Sequence, residues 1–172
     1  LASAVGLVGG SIEDATARRD QPIYEPDHAA ERIRAAAEAV SGLPFPFVLT
    51  ARAENYLVGR PDLSETIDRL QRYQEAGADV LFAPGLTKKE EIATVVRSVD
   101  RPVNVVMGLN NIQLSLADLS AIGVKRVSVG SALSRAALGA FLRAAKEMRD
   151  EGTFSFAEEA VSFTAINAMF AA

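Results

Sequence analysis

The 172-residue chain contains no cysteine and a single histidine. Without cysteine there is no disulfide, no thiolate zinc site and no thiol nucleophile. One histidine all but excludes multi-histidine metal sites and most Ser-His-Asp arrangements. Any metal must be a hard one held by oxygen ligands, such as magnesium. Excess positive charge is missing too. Lys and Arg number 18 against 22 Asp and Glu, a net charge of -4, and nothing resembles the basic footprint of a nucleic-acid partner. No apolar stretch approaches the roughly 18–20 residues of a membrane span, and the N-terminus lacks the basic region of a signal peptide. These absences lead us to expect a cytoplasmic protein with neither a nucleic-acid nor a membrane partner.

What is present is ordinary globular material, 49% hydrophobic and 23% charged, which argues against disorder. The length suits one domain with a substantial core. The chain begins without Met and inside an apolar pattern, so further N-terminal sequence and a longer parent protein are expected.

Five short apolar runs cover residues 6–12, 45–51, 78–83, 102–107 and 124–129. Each is rich in β-branched or aromatic residues and is bounded by Gly, Pro or charge. Near-continuous apolarity predicts strands buried on both faces, as in a parallel sheet. Amphipathic helical patterns lie between them. Asp27 is placed to cap the first, which stops at Gly42. Asp62 or Ser64 starts the second, with Leu63, Ile67, Leu70 and Tyr73 on its apolar face. Thr87-Lys88-Lys89-Glu90 and Ser115-Leu116-Ala117-Asp118 read as capping boxes. A long helix runs from Ser131 to Asp150 and closes at Gly152. Gly6, Gly77 and Gly123 recur where a helix end passes into a strand, a weak repeat that uses the left-handed conformation glycine adopts at low steric cost.

The alternation predicts an α/β fold with parallel strands. An open doubly wound sheet and part of a (β/α)8 barrel both fit, since a complete barrel typically needs about 250 residues. No Gly-x-Gly-x-x-Gly follows a strand, so the dinucleotide fingerprint is absent.

Polar residues gather at successive strand ends, where both architectures place their sites. Glu13 and Asp14 end the first run. A carboxylate there can hold a hard cation, directly or through water; alternatively Asp14 caps the next element and Glu13 is solvated. Arg52 follows the second run, suited to bidentate anion clamping or to a structural pair with Glu13 or Glu54. Asn104 sits inside an apolar strand and needs partners, either a ligand or a neighbouring strand. Ser128 and Ser131 precede the long helix, where Ser131 is an N-cap or part of an anion site. His28 is expected on the surface of an outer helix. Phe156, Phe163 and Phe170 recur every seven residues, with Ala160 and Ile166 near the same stripe, as one apolar helical face.

Six segments in order carry a resemblance: residues 9–14, 29–36, 47–54, 75–85, 102–106 and 123–131. Together they resemble the isocitrate lyase / phosphoenolpyruvate mutase superfamily, in its short, poorly assigned branch, over almost the whole chain. The resemblance implies a (β/α)8 TIM barrel, of which this chain matches strands four to eight plus the C-terminal helices. Residues 1–152 would form the barrel portion, and residues 153–172 a C-terminal helix exchanged between subunits of a homo-oligomer, a dimer or tetramer. It implies magnesium, contacted by Glu13 through water, and Arg52 binding substrate oxygens and steadying an enolate. Asn104 and Ser128 would line the mouth.

The implied activity is that of a lyase or hydrolase cleaving a C–C or P–C bond of a small 2-oxo or 2-hydroxy carboxylate, with a carbon–carbon lyase foremost. The alternatives are a non-catalytic carboxylate-binding or interaction relative and a mutase-like phosphonate enzyme; a pure phosphate-binding barrel is a weaker option. The sequence also departs from the family. Where the lyases carry a loop with a catalytic Cys and the mutase a Lys-Thr-Asn gate, residues 15–22 read Ala-Thr-Ala-Arg-Arg-Asp-Gln-Pro, and a flexible charged loop is expected. The mutase's His after the sixth strand is replaced by Ala83-Pro84-Gly85.

Overall fold

The computed structural model describes residues 3–109 and 112–171. Leu1 and Ala2, where the expected start inside an element falls, lie outside the described residues. The first compact unit ends at Gly130 and the second runs from Ser131, one helix earlier than the boundary expected at residue 152.

In the first unit, strands β1 (Gly9–Glu13), β2 (Val48–Arg52), β3 (Val80–Phe82), β4 (Val103–Val106) and β5 (Arg126–Ser128) alternate with helices α1 (Pro26–Ser41), α2 (Leu63–Glu75), α3 (Lys89–Ser98) and α4 (Leu116–Ala121). The strands form one parallel sheet in strictly sequential order, β1 to β5. A doubly wound sheet reverses its order at a switch point. None occurs here, so that alternative is set aside in favour of barrel-type winding. The five strands do not by themselves make a closed eight-stranded barrel.

Side chains alternate across each strand. One set (Leu49, Ala51, Leu81, Val103 and Val105) joins a core with Ala29 and Ile33 of α1, Leu70 and Tyr73 of α2, Ile92 and Val95 of α3, and Leu119 of α4. Burying one such large aliphatic side chain stabilises the fold by about 1.5–3 kcal/mol. The other set is largely polar: Ser11, Thr50, Arg52, Asn104, Arg126 and Ser128. Burial on both faces, expected of every strand, is therefore complete only in β3 and β4. β1 and β5 are edge strands with partly exposed residues.

The starts of the helices follow the expected chemistry in part. Asp62 caps α2 by accepting the Glu65 amide at 3.0 Å, and Ser115 and Asp118 complete a capping box on α4. Asp27 is not a cap. Pro26 opens α1 after Glu25, which makes no side-chain cap bond, and Asp27 sits in the first turn, where its charge favours the helix dipole. The Thr87 capping box does not form either: α3 begins at Lys89 without a side-chain cap. The three repeated glycines do adopt positive φ, at +83° for Gly6, +103° for Gly77 and +91° for Gly123. At Gly77 an added Cβ would lie 2.8 Å from the Ala37 Cβ, so both conformation and space require glycine.

The second unit comprises α5 (Ala132–Asp150), a 3-10 turn (Ser155–Glu159) and α6 (Phe163–Phe170). Ser131 occupies the N-cap position of α5 but makes no side-chain cap bond. The seven-residue Phe repeat does not form one helical face. Phe156 lies in the 3-10 turn and Ala160 is extended, which breaks the helix before Phe163. Phe141, Phe163 and Phe170 are exposed. Among the described residues no helix is long and apolar enough to cross a membrane.

Candidate active site

The register sets Glu13 opposite Arg52, Arg52 opposite Phe82, Phe82 opposite Asn104 and Asn104 opposite Arg126. These residues lie on the sheet face away from the helices. A groove of about 490 Å³ runs along that face, lined by Thr50, Arg52, Phe82, Asn104, Arg126 and Ser128 among others.

Arg52 makes more side-chain contacts than Arg126, the other cation among its described lining residues. Its Nε donates to Glu54 Oε1 at 2.6 Å, its Nη1 lies 3.2 Å from Glu13 Oε2, and its guanidinium packs 5.1 Å from the Phe82 ring centroid. A guanidinium carries five N–H donors in a fixed plane. One donates to Glu54 and Glu13 adds an ion pair at Nη1, which orients the plane and leaves other donors for a ligand. Arg52 therefore pairs with both of the carboxylates considered from sequence. Its side chain stays 27% exposed and that of Glu13 50%, while Glu54 is nearly enclosed at 5%. Burial raises the Glu54 carboxyl above its ordinary value, against the lowering pull of Arg52.

Asn104 and Ser128 are also brought together. Asn104 Nδ2 donates to Ser128 Oγ at 3.0 Å, which ties β4 to β5. Asn104 is buried, and its Oδ1 has no partner among the described residues. Arg126, not singled out from sequence, reaches Thr50 Oγ1 at 3.3 Å. Its signal was a charge opening an apolar strand.

Asp14 is not the cap considered as one reading of the sequence. Because it follows Glu13 in the chain, it points to the opposite face, into the helix layer, and is buried. Its Oδ1 accepts the Glu54 backbone N–H at 2.8 Å, and its Oδ2 accepts Arg69 Nη1 at 3.1 Å and the Tyr73 hydroxyl. Burial raises the Asp14 carboxyl above its ordinary value, while Tyr73, the Glu54 amide and Arg69 pull it down. Burial and the Asp14 charge push the Tyr73 phenol well upward, so it remains a donor. Arg69 and Tyr73 are four apart on the buried side of α2 and so share a face.

The loop after β1 is pinned rather than loose. Ala15 bridges Ile23, the Thr16 amide donates to Pro22 O at 3.0 Å, and the Thr16 hydroxyl donates to Gln21 O. Arg18 and Asp20 pair with each other in solvent. His28 is an exposed residue of α1 beside Tyr24 and Glu31.

Glu13 offers a hard oxygen, which suits magnesium. No cluster of three or more His, Cys, Asp or Glu side chains able to hold a metal occurs among the described residues. Glu13 thus fits as one ligand, directly or through water, and not as a complete site.

Comparison with known proteins gives a consistent picture. The model of the phosphoenolpyruvate phosphomutase family matches residues 1–149. An uncharacterized protein of Mycobacterium tuberculosis is 37% identical over 149 residues, covering 85% of this chain and 53% of its own length. A candidate lyase/mutase structure from Burkholderia cenocepacia is 64% identical with a TM-score of 0.97, over 99% of this chain and 62% of that one. Phosphonopyruvate hydrolase, solved with oxalate and magnesium, is 28% identical with a TM-score of 0.80, over 98% of this chain and 60% of that one. The chain thus spans about half to three-fifths of the length of these relatives.

Proposed function

The chain belongs to the phosphoenolpyruvate phosphomutase family, within the isocitrate lyase / phosphoenolpyruvate mutase superfamily, and from that premise we propose a magnesium-dependent lyase or hydrolase. Its substrate is a small 2-oxo or 2-hydroxy carboxylate, cleaved at a C–C or P–C bond through an enolate, with C–C cleavage foremost. The observation that carries this reading is Arg52, held by Glu13 and Glu54 at the C-terminal edge of a parallel sheet with its remaining donors facing an open groove. Oriented N–H groups aimed where negative charge develops on oxygen lower a barrier more than they tighten substrate binding. Arg52 binds the carboxylate oxygens and stabilises the growing oxyanion. Asn104 and Ser128 shape the groove wall beside the substrate. Magnesium, held by Glu13 through water, would supply Lewis-acid polarisation of the same oxygens.

The test uses the full-length protein with magnesium and a screen of oxaloacetate, methylisocitrate and phosphonopyruvate. Arg52→Ala should lower kcat/KM by about 10²–10³ for whichever acid is turned over, the effect of losing one oxyanion donor, with unchanged circular dichroism. Near-wild-type turnover by the variant refutes the assignment. A second reading, a carboxylate binder without catalysis, is favoured by the lack of thiol and imidazole among the described groove residues and by the short, pinned loop after β1. It is distinguished by binding without turnover in the same screen. Turnover of phosphonopyruvate alone would favour the mutase-like phosphonate enzyme.

We also propose that the protein is a homo-oligomer, a dimer or tetramer, in which a second copy covers the exposed Phe163 and Phe170. A monomer mass that is independent of concentration refutes this.

A further inference from the structure

Building on the reading of Arg52 as the oxyanion clamp, we infer that Asp14 is a positioning residue for Arg52, acting through Glu54 and itself held by Arg69 and Tyr73 of α2. The connection is continuous. Tyr73 and Arg69 donate to Asp14 Oδ2, the Glu54 backbone N–H donates to Asp14 Oδ1, and the Glu54 side chain receives Arg52 Nε. Each link is 3.1 Å or shorter.

The register shows where this contact falls. Arg52 is the last ladder residue of β2; beyond it the Ala53 amide donates to Phe82 O of β3 at 2.9 Å, and Glu54 O accepts the Leu57 and Val58 amides at 2.8 and 3.1 Å. The backbone group of Glu54 that these bonds leave over is its N–H, which Asp14 accepts. Asp14 supplies that acceptor from the end of β1, and its own backbone closes the same corner, its amide donating to Arg52 O at 3.3 Å and its carbonyl accepting the Tyr24 amide at 2.8 Å.

Arg69 is fixed in turn. It donates to Glu65 Oε1 at 2.9 and 2.7 Å and to Tyr24 O at 2.8 Å. Glu13 and Asp14 thus divide the work by strand alternation: one touches the clamp on the groove face, and the other braces it from the helix layer. A buried ion pair with only a structural role would leave Glu54 out of the chain of contacts. Here its amide is the contact.

The test is a double-mutant cycle on oxalate affinity, measured by titration calorimetry with magnesium present, in the full-length protein. The variants are Asp14→Asn, Arg52→Ala and the double variant. Asp14→Asn should weaken oxalate binding about 10-fold, the usual scale for losing an outer-shell partner. In the Arg52→Ala background it should then change nothing more, because the residue it acts through is gone. A purely structural role would lower the melting temperature and leave the cycle additive. If Asp14→Asn does not fold, Tyr73→Phe, which removes one bond to Asp14, runs the same cycle. Additive losses, or an unchanged affinity in the folded single variant, overturn the inference alone. Failure of the wild type to bind oxalate overturns the reading of the groove, and this inference with it.

Discussion

Removing Arg69 should be among the most damaging single changes in the first unit. Arg69 and Asp14 are each 2% exposed, and their charges meet at 3.1 Å. In Arg69→Met the Asp14 carboxylate keeps two donors, the Glu54 amide and the Tyr73 hydroxyl, but loses its only cationic contact among the described residues. Glu65 is 31% exposed and regains water at little cost, so the loss concentrates on Asp14 and on the Tyr24 carbonyl, which also loses a donor. Breaking a buried pair from one side costs about 3–5 kcal/mol, because the remaining charge stays desolvated. That is a large part of a typical stability of about 5–15 kcal/mol. Neutralising the stranded charge should recover much of it. In the Arg69→Met/Asp14→Asn variant the amide oxygen still accepts the Glu54 N–H, and the Tyr73 hydroxyl rotates to accept from the new amide nitrogen. Urea unfolding at pH 7, followed by circular dichroism, measures all three proteins. A loss below about 1 kcal/mol in Arg69→Met, or a double variant less stable than the single one, refutes the reasoning.

The glycine pair gives a control on backbone strain. Gly6→Ala meets only open space at φ +83° and should cost about 1 kcal/mol, whereas Gly77→Ala also collides with Ala37 and should cost more; equal losses by urea unfolding contradict this. In the second unit, Glu147 accepts from the Thr153 hydroxyl, from the Ser155 amide and hydroxyl, and from the Phe156 amide. Those bonds, the Thr153 hydroxyl foremost, lower its carboxyl below the ordinary value. A depressed carboxylate adds stability above its unfolded pKa, and that stability is lost as pH falls through the folded one. Amide exchange at Ser155 and Phe156 should therefore speed up below about pH 4.5, relative to reference amides, and the Glu147→Gln variant should lack this step; a step that survives in the variant shows the assignment to be wrong. His28→Gln should leave the pH dependence of any activity unchanged, since His28 is exposed beside Glu31 and is not part of the groove lining; a shifted profile would place it in the chemistry.

The five strands were legible because Gly, Pro or charge punctuates each run, but their lengths were not. Residue 78 belonged to the apolar run 78–83, yet its amide bonds to Tyr73 O and closes the turn after Gly77, so β3 starts at Val80. Ladder partners trim a strand, and no single run shows its partners. Arg52, Glu13, Asn104 and Ser128 stood out because each is a polar residue in or just after an apolar run. Asp14 and Glu54 stood at strand ends too, but the bond between them did not show, and Arg69 was missed altogether, because these contacts join residues 40 and 55 positions apart. The buried face of α2 carries Thr66 and Arg69 beside Leu70 and Tyr73. Hydrophobicity alone located only the apolar half of that face. A helix position three or four residues from a buried aromatic is a candidate for burial even when it is charged.

The charges around Arg52 bear on the order of binding. Glu13 and Glu54 flank one guanidinium, so with all three ionised the cluster is negative by one charge. Under the proposed function, an incoming carboxylate would meet donors of the right geometry in a field of the wrong sign. Arg126, farther along the groove, offsets this only at a distance, where solvent screening weakens it. A divalent cation held by Glu13 would reverse the local balance to positive, and the same cation would meet a carboxylate ligand better if Glu13 were drawn partly away from Arg52. Glu13 is half exposed and has room for that move, whereas Glu54 is enclosed and its amide is bonded to Asp14. The two carboxylates around Arg52 are therefore not equivalent: under the proposed function the exposed one would turn to a metal, and the enclosed one would keep the guanidinium in place.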